Sequence, residues 1–413
     1  AYLERWLPAA GGLLQEPMFA GAAARAEQAR TYSPGSLRPE TARALYGAEL
    51  HFSSSRIDVL AGCRFAHFLQ YGLRAQEREP AEFDSRFYGT FVHDVLEYIV
   101  QQTEREGGFA AVPRSRVQEL AQERMEQNAQ TLLETFPDSG RTGYLLRRTF
   151  DEVTQVVDEL YDELSVSAFR PKFCELEFSA RGALPGVAFA GERCRGVVEG
   201  FVDRVDVWQS GGRPYVRVVD YKTGKKSFDY TNVLHGRGLQ MLLYLFALVR
   251  QGGHLLHGEP LPAGVLYFPA RIERVSVRDR LVQAEIEKER RKQLRRSGVL
   301  LNSDPVLEAM EPCGGSPRFL PYTLDKEGRK TGDLASFAQL AQLERFVFRT
   351  VAALGDELAD GRIDPDPCIR DAKDSACAFC PYSEICAGHE QPRWLKKITA
   401  EEFWQTLERR EHG

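Results

Sequence analysis

The spacing of apolar and polar positions changes period several times along the chain. From Phe52, the run Ser53-Ser54-Ser55 followed by Arg56-Ile57-Asp58-Val59-Leu60 reads as an N-cap and first helical turn. Apolar residues continue at helical spacing through Phe65, Phe68 and Leu69, and Gly72 is a stop. Gly89 to Gln102 is amphipathic, and the Gln- and Glu-rich stretches Ser115 to Phe136 and Tyr144 to Leu164 predict two more helices, together a helical insertion. The period then falls to two. Phe173 to Phe178, Arg195 to Trp208 and Pro214 to Tyr221 predict three successive strands. Gly236 to Val249 predicts a helix, Gly264 to Phe268 a buried strand, Asp279 to Arg296 a highly charged helix and Asp333 to Asp360 a long amphipathic one. The end of the chain reads as irregular and cysteine-bearing. There is no internal repeat, and strands enclosed by helices make this an α/β chain.

Composition narrows the class. A length of 413 residues, at roughly 150 per domain, fits two or three units or one catalytic domain with large insertions. With 43% hydrophobic and 10% aromatic residues the chain can build a core. No apolar run approaches the roughly 18 to 20 residues that span a bilayer, so no membrane role is expected. A net charge of -5 excludes a protein coated in basic charge; a nucleic-acid partner would need a local groove. Eight cysteines are too dilute for a disulfide scaffold, and no signal peptide is evident, so a reducing, cytoplasmic setting is expected. No G-x-x-x-x-G-K-S/T loop is present, which excludes an ATP motor of that kind. Residues 1–49, with Ser33-Pro34-Gly35-Ser36, read as a linker or the end of a preceding region, and the chain as a fragment of a longer protein.

The strongest local chemistry lies between Gly200 and Gly224. Ser210-Gly211-Gly212-Arg213 predicts a tight hairpin, because both central positions of such a turn can require positive φ. Pairing 210 with 213 sets Val207 against Val216, Val205 against Val218 and Asp203 against Asp220. Lys222 shares the face of Asp220, and Tyr221 points away. Opposed carboxylates cost stability unless a cation lies between them. A divalent ion such as Mg²⁺ or Mn²⁺ fits, with Lys222 placed to orient an attacking water, and the chemistry is then phosphodiester hydrolysis. Ordinary strand charges paired by lysine are the plain alternative. Asp206 opposes Arg217 on the other face, where a cross-strand salt bridge explains it.

Two helices add candidates. His93 lies four residues after Gly89 and four before Glu97 among Val92, Val95 and Leu96; it is either a core histidine or a metal ligand. Gln240 and Tyr244 share one helical face, where packing explains them and contact with a phosphate or base is the alternative. Cys377, Cys380 and Cys386 form C-x2-C-x5-C, a metal site more often than a disulfide in a reducing compartment. A fourth ligand could be Cys63, Cys368, Cys174, Cys194 or Cys313. Zinc and a four-iron cluster both suit four thiolates.

Taken in order, these motifs resemble the RecB-like branch of the PD-(D/E)XK nuclease superfamily, and are most similar to the carboxyl-terminal nuclease domains of AddB-type subunits of bacterial helicase-nucleases. Ser53 to Arg56 leading to Cys63 looks like the family's opening helix. Gly89 to His93 matches G-x-x-x-H, Gly200 to Asp203 matches G-x-x-D, Asp220 to Lys222 matches D-x-K, and Gln240 with Tyr244 matches Q-x-x-x-Y. The resemblance implies a restriction-endonuclease-like core, a central mixed sheet flanked by helices, over residues 50–390. Helical insertions are expected at about 107–167 and a charged one at about 276–330, with a tail at 391–413. It implies Mg²⁺ (or Mn²⁺) held by His93, Asp203, Asp220 and the Tyr221 carbonyl, with Lys222 positioning water and Gln240 and Tyr244 holding DNA. It also implies a 4Fe-4S cluster on Cys63, Cys377, Cys380 and Cys386, stapling the domain's ends across roughly 300 residues. One departure is Arg64, where the family often has proline.

The function implied is a metal-dependent deoxyribonuclease, an exonuclease acting on single strands unwound by an AddA-like helicase-nuclease partner in double-strand-break processing and recombinational repair. The alternatives are a non-catalytic DNA-end binding and assembly module, against which the intact Asp203, Asp220 and Lys222 argue, and a stand-alone Cas4-like exonuclease, which the long helical insertion disfavours. In the basic stretch Arg271 to Arg296, carboxylates interleave at helical spacing, so a salt-bridged solvated face comes first and DNA-backbone contact second.

Overall fold

The computed structural model describes residues 35–75, 85–135, 140–224, 227–272, 283–386 and 391–412, with Gly21 and Arg25. The expected linker therefore lies largely outside the described residues, as do Phe136 and the Asp279 end of the charged helix. The chain opens with α1 (Pro39–Tyr46), β1 (Leu50–Ser53), α2 (Ser54–Gly62) and α3 (Arg64–His67). Ser53 caps α2, its side chain accepting from the Arg56 N–H at 3.2 Å. Three long helices follow, α4 (Ser85–Arg105), α5 (Arg114–Thr135) and α6 (Gly140–Val166), each within a few residues of its expected span.

The sheet is built on β4 (Arg195–Ser210). Its first half pairs with β1 in parallel and with β3 (Val187–Ala190) antiparallel; its second half pairs antiparallel with β2 (Arg170–Phe178) and β5 (Arg213–Lys222). β5 then pairs in parallel with β6 (Leu261–Pro269), which is followed by β7 (Ser297–Leu301). The mixed sheet has eight strands, the eighth being Leu334–Ala335 beside β7. β1, β3 and β7 have no counterpart among the expected strands; each is short and is defined by its partner strand. Gly211 and Gly212 hold φ of 56° and 74°, and the register runs as the turn dictates, with Val207 on Val216, Val205 on Val218 and Asp206 on Arg217.

The two faces of this hairpin are packed differently. Val205, Val216 and Val218 are buried in the core, and α7 (Tyr230–Leu234) leads to α8 (Gln240–Gln251), which packs on β5 and β6 and is buried from Met241 to Leu248. The opposite face carries Arg204, Asp206 and Arg217, all fully buried. Arg204 Nε and Arg217 Nε reach Asp206 at 2.8 and 2.7 Å, and Arg217 Nη2 reaches Glu163 of α6 at 3.0 Å. Arg296 Nε closes the cluster on Glu163 at 2.9 Å. The salt bridge expected at Asp206 is thus one edge of a buried charge network that clamps the helical insertion to the sheet.

Past β7 come α9 (Phe337–Ala359) and, where irregular chain was expected, a final helix α10 (Ala400–His412). The latter buries Phe403, Trp404 and Leu407 against the core. The charged stretch forms a helix over Gln283–Leu294.

Candidate active site

The ladder between β4 and β5 ends at Arg204 on Val219. Beyond that pair β5 continues along β6, with Asp220 beside Tyr267 and Lys222 beside Pro269. The notch so formed has Asp203 on one wall and Asp220 and Lys222 on the other. Asp203 Oδ2 accepts the Tyr221 N–H at 2.7 Å. Lys222 Nζ lies 2.5 Å from Asp220 Oδ2, yet that buried oxygen has no aligned hydrogen-bond donor.

His93 enters from α4. Its Nε2 is 2.8 Å from the Tyr221 carbonyl and its Nδ1 3.5 Å from Asp203 Oδ2. A carbonyl only accepts, so Nε2 carries the proton and the Nδ1 lone pair faces Asp203. Burial holds the imidazole below its ordinary pKa, against the pull of the Tyr221 carbonyl and Asp220, and neutral imidazole is the form that binds metals. The Tyr221 carbonyl, expected as an ion ligand, is engaged by His93; a carbonyl has two lone pairs, so this bond does not remove it from the donor set.

Glu175 of β2 is absent from the residues expected at the site. One ligand atom each from His93, Glu175 and Asp203 fall within 4.8 Å of one another. Glu175 has φ of 48° between the paired residues Cys174 and Leu176, a conformation that costs a non-glycine residue of order 1 kcal/mol or more. A register shift between Pro171 and Phe173 hides from simple alternation that Glu175 lies across from Asp203. Burial first, then Glu97 and Asp220, push the Glu175 carboxyl up. Burial and Asp220 push Asp203 well above the carboxylate range, opposed by the Tyr221 N–H and Lys222. Crowded, under-solvated carboxylates beside a neutral histidine are what a hard divalent cation satisfies, so the donor set fits one.

Gln240 is half-buried at the start of α8. Tyr244 is fully buried, stacked on Phe178 at 4.9 Å, with its hydroxyl donating to the Glu199 carbonyl at 3.3 Å. It faces protein, and it explains the glycine of G-x-x-D: a Cβ on Gly200, at φ 152°, would lie 2.2 Å from the Tyr244 hydroxyl.

At the other end of the domain, a Cβ on Gly62 would lie 3.8 Å from that of Ala376, so Cys63 and Cys377 each follow residues already in contact. Cys377 feels Cys380 and Cys386 electrostatically. Burial pushes the Cys63 thiol up to about 11, with the Ala66 amide opposing. Three other cysteines have carbonyl partners: Cys368 on Ala61, Cys194 on Ala352 and Cys313 on Gly315. Arg64 is buried between Glu357 and Asp366, with Nε 2.9 Å from Glu357 and its N–H 3.1 Å from Asp366. Arg393 also reaches Asp366, at 3.0 Å. Arginine after Cys63 thus ties this end of the chain to the other.

Among the described residues no helix is long and apolar enough to cross a membrane. The chain is similar to proteins named as subunits of an ATP-dependent helicase/deoxyribonuclease. Identity is 34% with that of Moorella thermoacetica, covering 85% of this chain and 31% of the relative. It is 29% with that of Thermoanaerobacter sp., covering 88% and 33%, and 28% with that of Oceanobacillus iheyensis, covering 86% and 31%. The chain spans about a third of the length of these relatives. A family model described as the PD-(D/E)XK nuclease superfamily matches residues 51–387. With that match across most of its length and the two acids and lysine of the sheet notch in place, the chain belongs to the PD-(D/E)XK nuclease superfamily.

Proposed function

We propose that the chain is a divalent-metal-dependent deoxyribonuclease domain that hydrolyses phosphodiester bonds of single-stranded DNA. The observation that carries this reading is the convergence of His93, Glu175 and Asp203 beside the Asp220–Lys222 pair. His93, Glu175, Asp203 and Asp220, with the Tyr221 carbonyl, would hold Mg²⁺ or Mn²⁺. Such an ion, when bound, supplies positive charge against the phosphate oxygens and lowers the pKa of water. Lys222 Nζ, partly exposed at the mouth of the notch, orients the attacking water. Asp220 holds that ammonium in place. The Tyr221 peptide fixes Asp203 through its N–H and His93 through its carbonyl, so that little reorganisation is needed at the moment of reaction. Gln240 meets the strand at the start of α8, and Tyr244 acts from beneath by packing β4 against α8.

Cys63, Cys377, Cys380 and Cys386 would hold a 4Fe-4S cluster in this reading, an assignment that the resemblance of the motifs supports and that four thiolates suit. Loss of iron loosens the domain. The relatives' names, subunits of an ATP-dependent helicase/deoxyribonuclease, support a helicase partner. With the resemblance of the motifs, this reading places the chain in double-strand-break processing and recombinational repair, in the cytoplasm, with an AddA-like helicase-nuclease supplying the unwound strand. The test is degradation of labelled single-stranded DNA by anaerobically prepared protein, with Mg²⁺ and with EDTA, beside Lys222→Ala. Cleavage that needs both metal and Lys222 is expected. Cleavage that persists in EDTA or in the variant rejects the assignment.

A further inference from the structure

Lys222 also lines a cavity of about 300 Å³. Lys222, Arg271 and Arg295 are its cations, and none of the described residues lining it is acidic, in a chain whose net charge is -5. The larger cavity elsewhere, about 670 Å³, also has arginines, but Glu192 and Asp360 line it with them and Arg193 is paired to Asp360. Of these two, the cavity beside Lys222 is the one whose arginines meet no carboxylate on its described walls.

Its donors divide by role. Arg295 directs Nε to the Leu320 carbonyl at 3.1 Å and Nη2 to that of Tyr322, which fixes the wall. Arg271 is exposed, its guanidinium 5.0 Å from the Tyr88 ring centre, and it has no carboxylate partner among the described residues. Ser297 Oγ accepts the Phe228 N–H at 3.1 Å, which leaves its own proton to donate. Thr223 and Ser227 add hydroxyls, and Tyr267, with its ring centre 5.8 Å from Lys222 Nζ, and Pro269 supply an apolar side. Cations and hydroxyls around an apolar wall match a phosphate with its sugar, and the volume is on the order of one such unit at the small end of ligand pockets.

We propose that this cavity is a subsite for one nucleotide unit of a nucleic-acid strand, next to the phosphate cleaved at Lys222, with Arg271 as its principal phosphate contact. The subsite rests on the nuclease reading above. It gives the Arg271 end of the basic stretch a task that the salt-bridged face around Glu289 and Lys292 does not have.

The test is binding of a fluorescent single-stranded oligonucleotide to the full chain carrying Asp220→Ala, across a range of salt concentrations, with and without Arg271→Ala or Arg271→Lys. Removing one charged phosphate contact weakens binding by about tenfold and lowers the magnitude of the salt slope by about 0.7. Arg271→Lys keeps the slope. Unchanged affinity and slope in Arg271→Ala, while Asp220→Ala alone binds the oligonucleotide, overturn the subsite and leave the nuclease reading intact. Absence of binding by every variant, together with no cleavage by the parent chain, overturns both.

Discussion

The carboxylate of Asp203 accepts the backbone N–H of Tyr221 at 2.7 Å, and the phenol of Tyr221 takes a hydrogen bond from Arg204 Nη1 at 2.9 Å on the opposite side of the sheet. One residue therefore joins the acidic notch to the buried charge network. Burial pushes the Tyr221 phenol up, with Arg204 opposing, so the hydroxyl keeps its proton and accepts from the guanidinium. Tyr221→Phe leaves a buried donor without its acceptor, for a loss of about 1–3 kcal/mol. Urea unfolding measures it, and a loss within error would show that Arg204 finds another partner.

The network predicts a larger effect at its centre. Asp206 is fully buried between Arg204 and Arg217, and removing one partner strands the others, so Asp206→Ala costs about 3–5 kcal/mol. Arg362→Ala, at a half-exposed pair with Asp364, costs less than about 1 kcal/mol. Equal losses in the two variants would contradict the burial argument.

What could be read from the chain alone follows from range. The Gly211-Gly212 turn fixes its own hairpin, so Asp206 opposite Arg217 and the shared face of Asp220 and Lys222 were legible from local chemistry. Glu175 was not, because its place depends on a register shift in β2 and on pairing between strands joined by a long connection. Asp206 was legible as a salt bridge but not as a buried one, since Glu163 arrives from α6 and Arg296 from the link between the charged helix and β7. Tyr244 falls on its expected helical face, yet its burial is decided by Phe178 and Gly200. For the cysteines, spacing marked C-x2-C-x5-C and left the choice of a fourth open among Cys63, Cys174, Cys194, Cys313 and Cys368.

Glu175→Gln removes one charge from the candidate metal set and leaves the side chain's volume. The Mn²⁺ or Mg²⁺ concentration giving half-maximal cleavage should rise by about 10-fold or more, by analogy with the loss of a residue supporting a metal. Cleavage titrated against metal concentration checks it. An unaltered metal requirement would make Glu175 a bystander whose backbone strain has another cause.

The buried histidines make the fold sensitive to acid well before its ion-paired Glu163 protonates. His67 is fully buried, and burial followed by Arg56 lowers its pKa to about 3. Below the unfolded value near 6.5 the unfolded chain binds a proton that the folded chain refuses, so this contribution is complete above pH 6.5 and shrinks as pH falls toward 3. Burial lowers the histidines at 93 and 235 in the same direction. Glu163 is held down to about 2 by Arg296, Arg217 and Arg204 against burial, so its stabilisation persists above about 4.5 and is lost only as pH drops toward 2. Between pH 6.5 and 5, His67 alone contributes a loss approaching about 1.4 kcal/mol per pH unit. Asp203 and Glu175, pushed up by burial and neighbouring acids, take up protons in the folded chain and contribute in the opposite direction, so the His67 contribution is read as a difference. Chemical denaturation at pH 7, 6 and 5 should show the stability of the parent falling relative to that of His67→Gln as pH drops; a constant difference would move the acid sensitivity to other groups.

The last prediction separates the proposed cluster from the ion pairs that join the chain's ends. Cys63→Ser removes a proposed cluster ligand but leaves Arg64, Glu357, Asp366 and Arg393 in place, whereas Arg64→Ala keeps all four thiols and leaves the buried Asp366 carboxylate with Arg393 as its partner. Anaerobically prepared parent protein should be brown with thiolate-bound iron and sulfide, and Cys63→Ser should lose that colour. Arg64→Ala should retain the colour and lose about 1–3 kcal/mol, the cost of hydrogen bonds to charged groups whose carboxylates keep a second arginine. Iron and sulfide analysis alongside urea unfolding distinguishes them. Colourless, zinc-loaded parent protein would overturn the cluster, and loss of iron from Arg64→Ala would show that the ion pairs must form before the thiolates can be gathered.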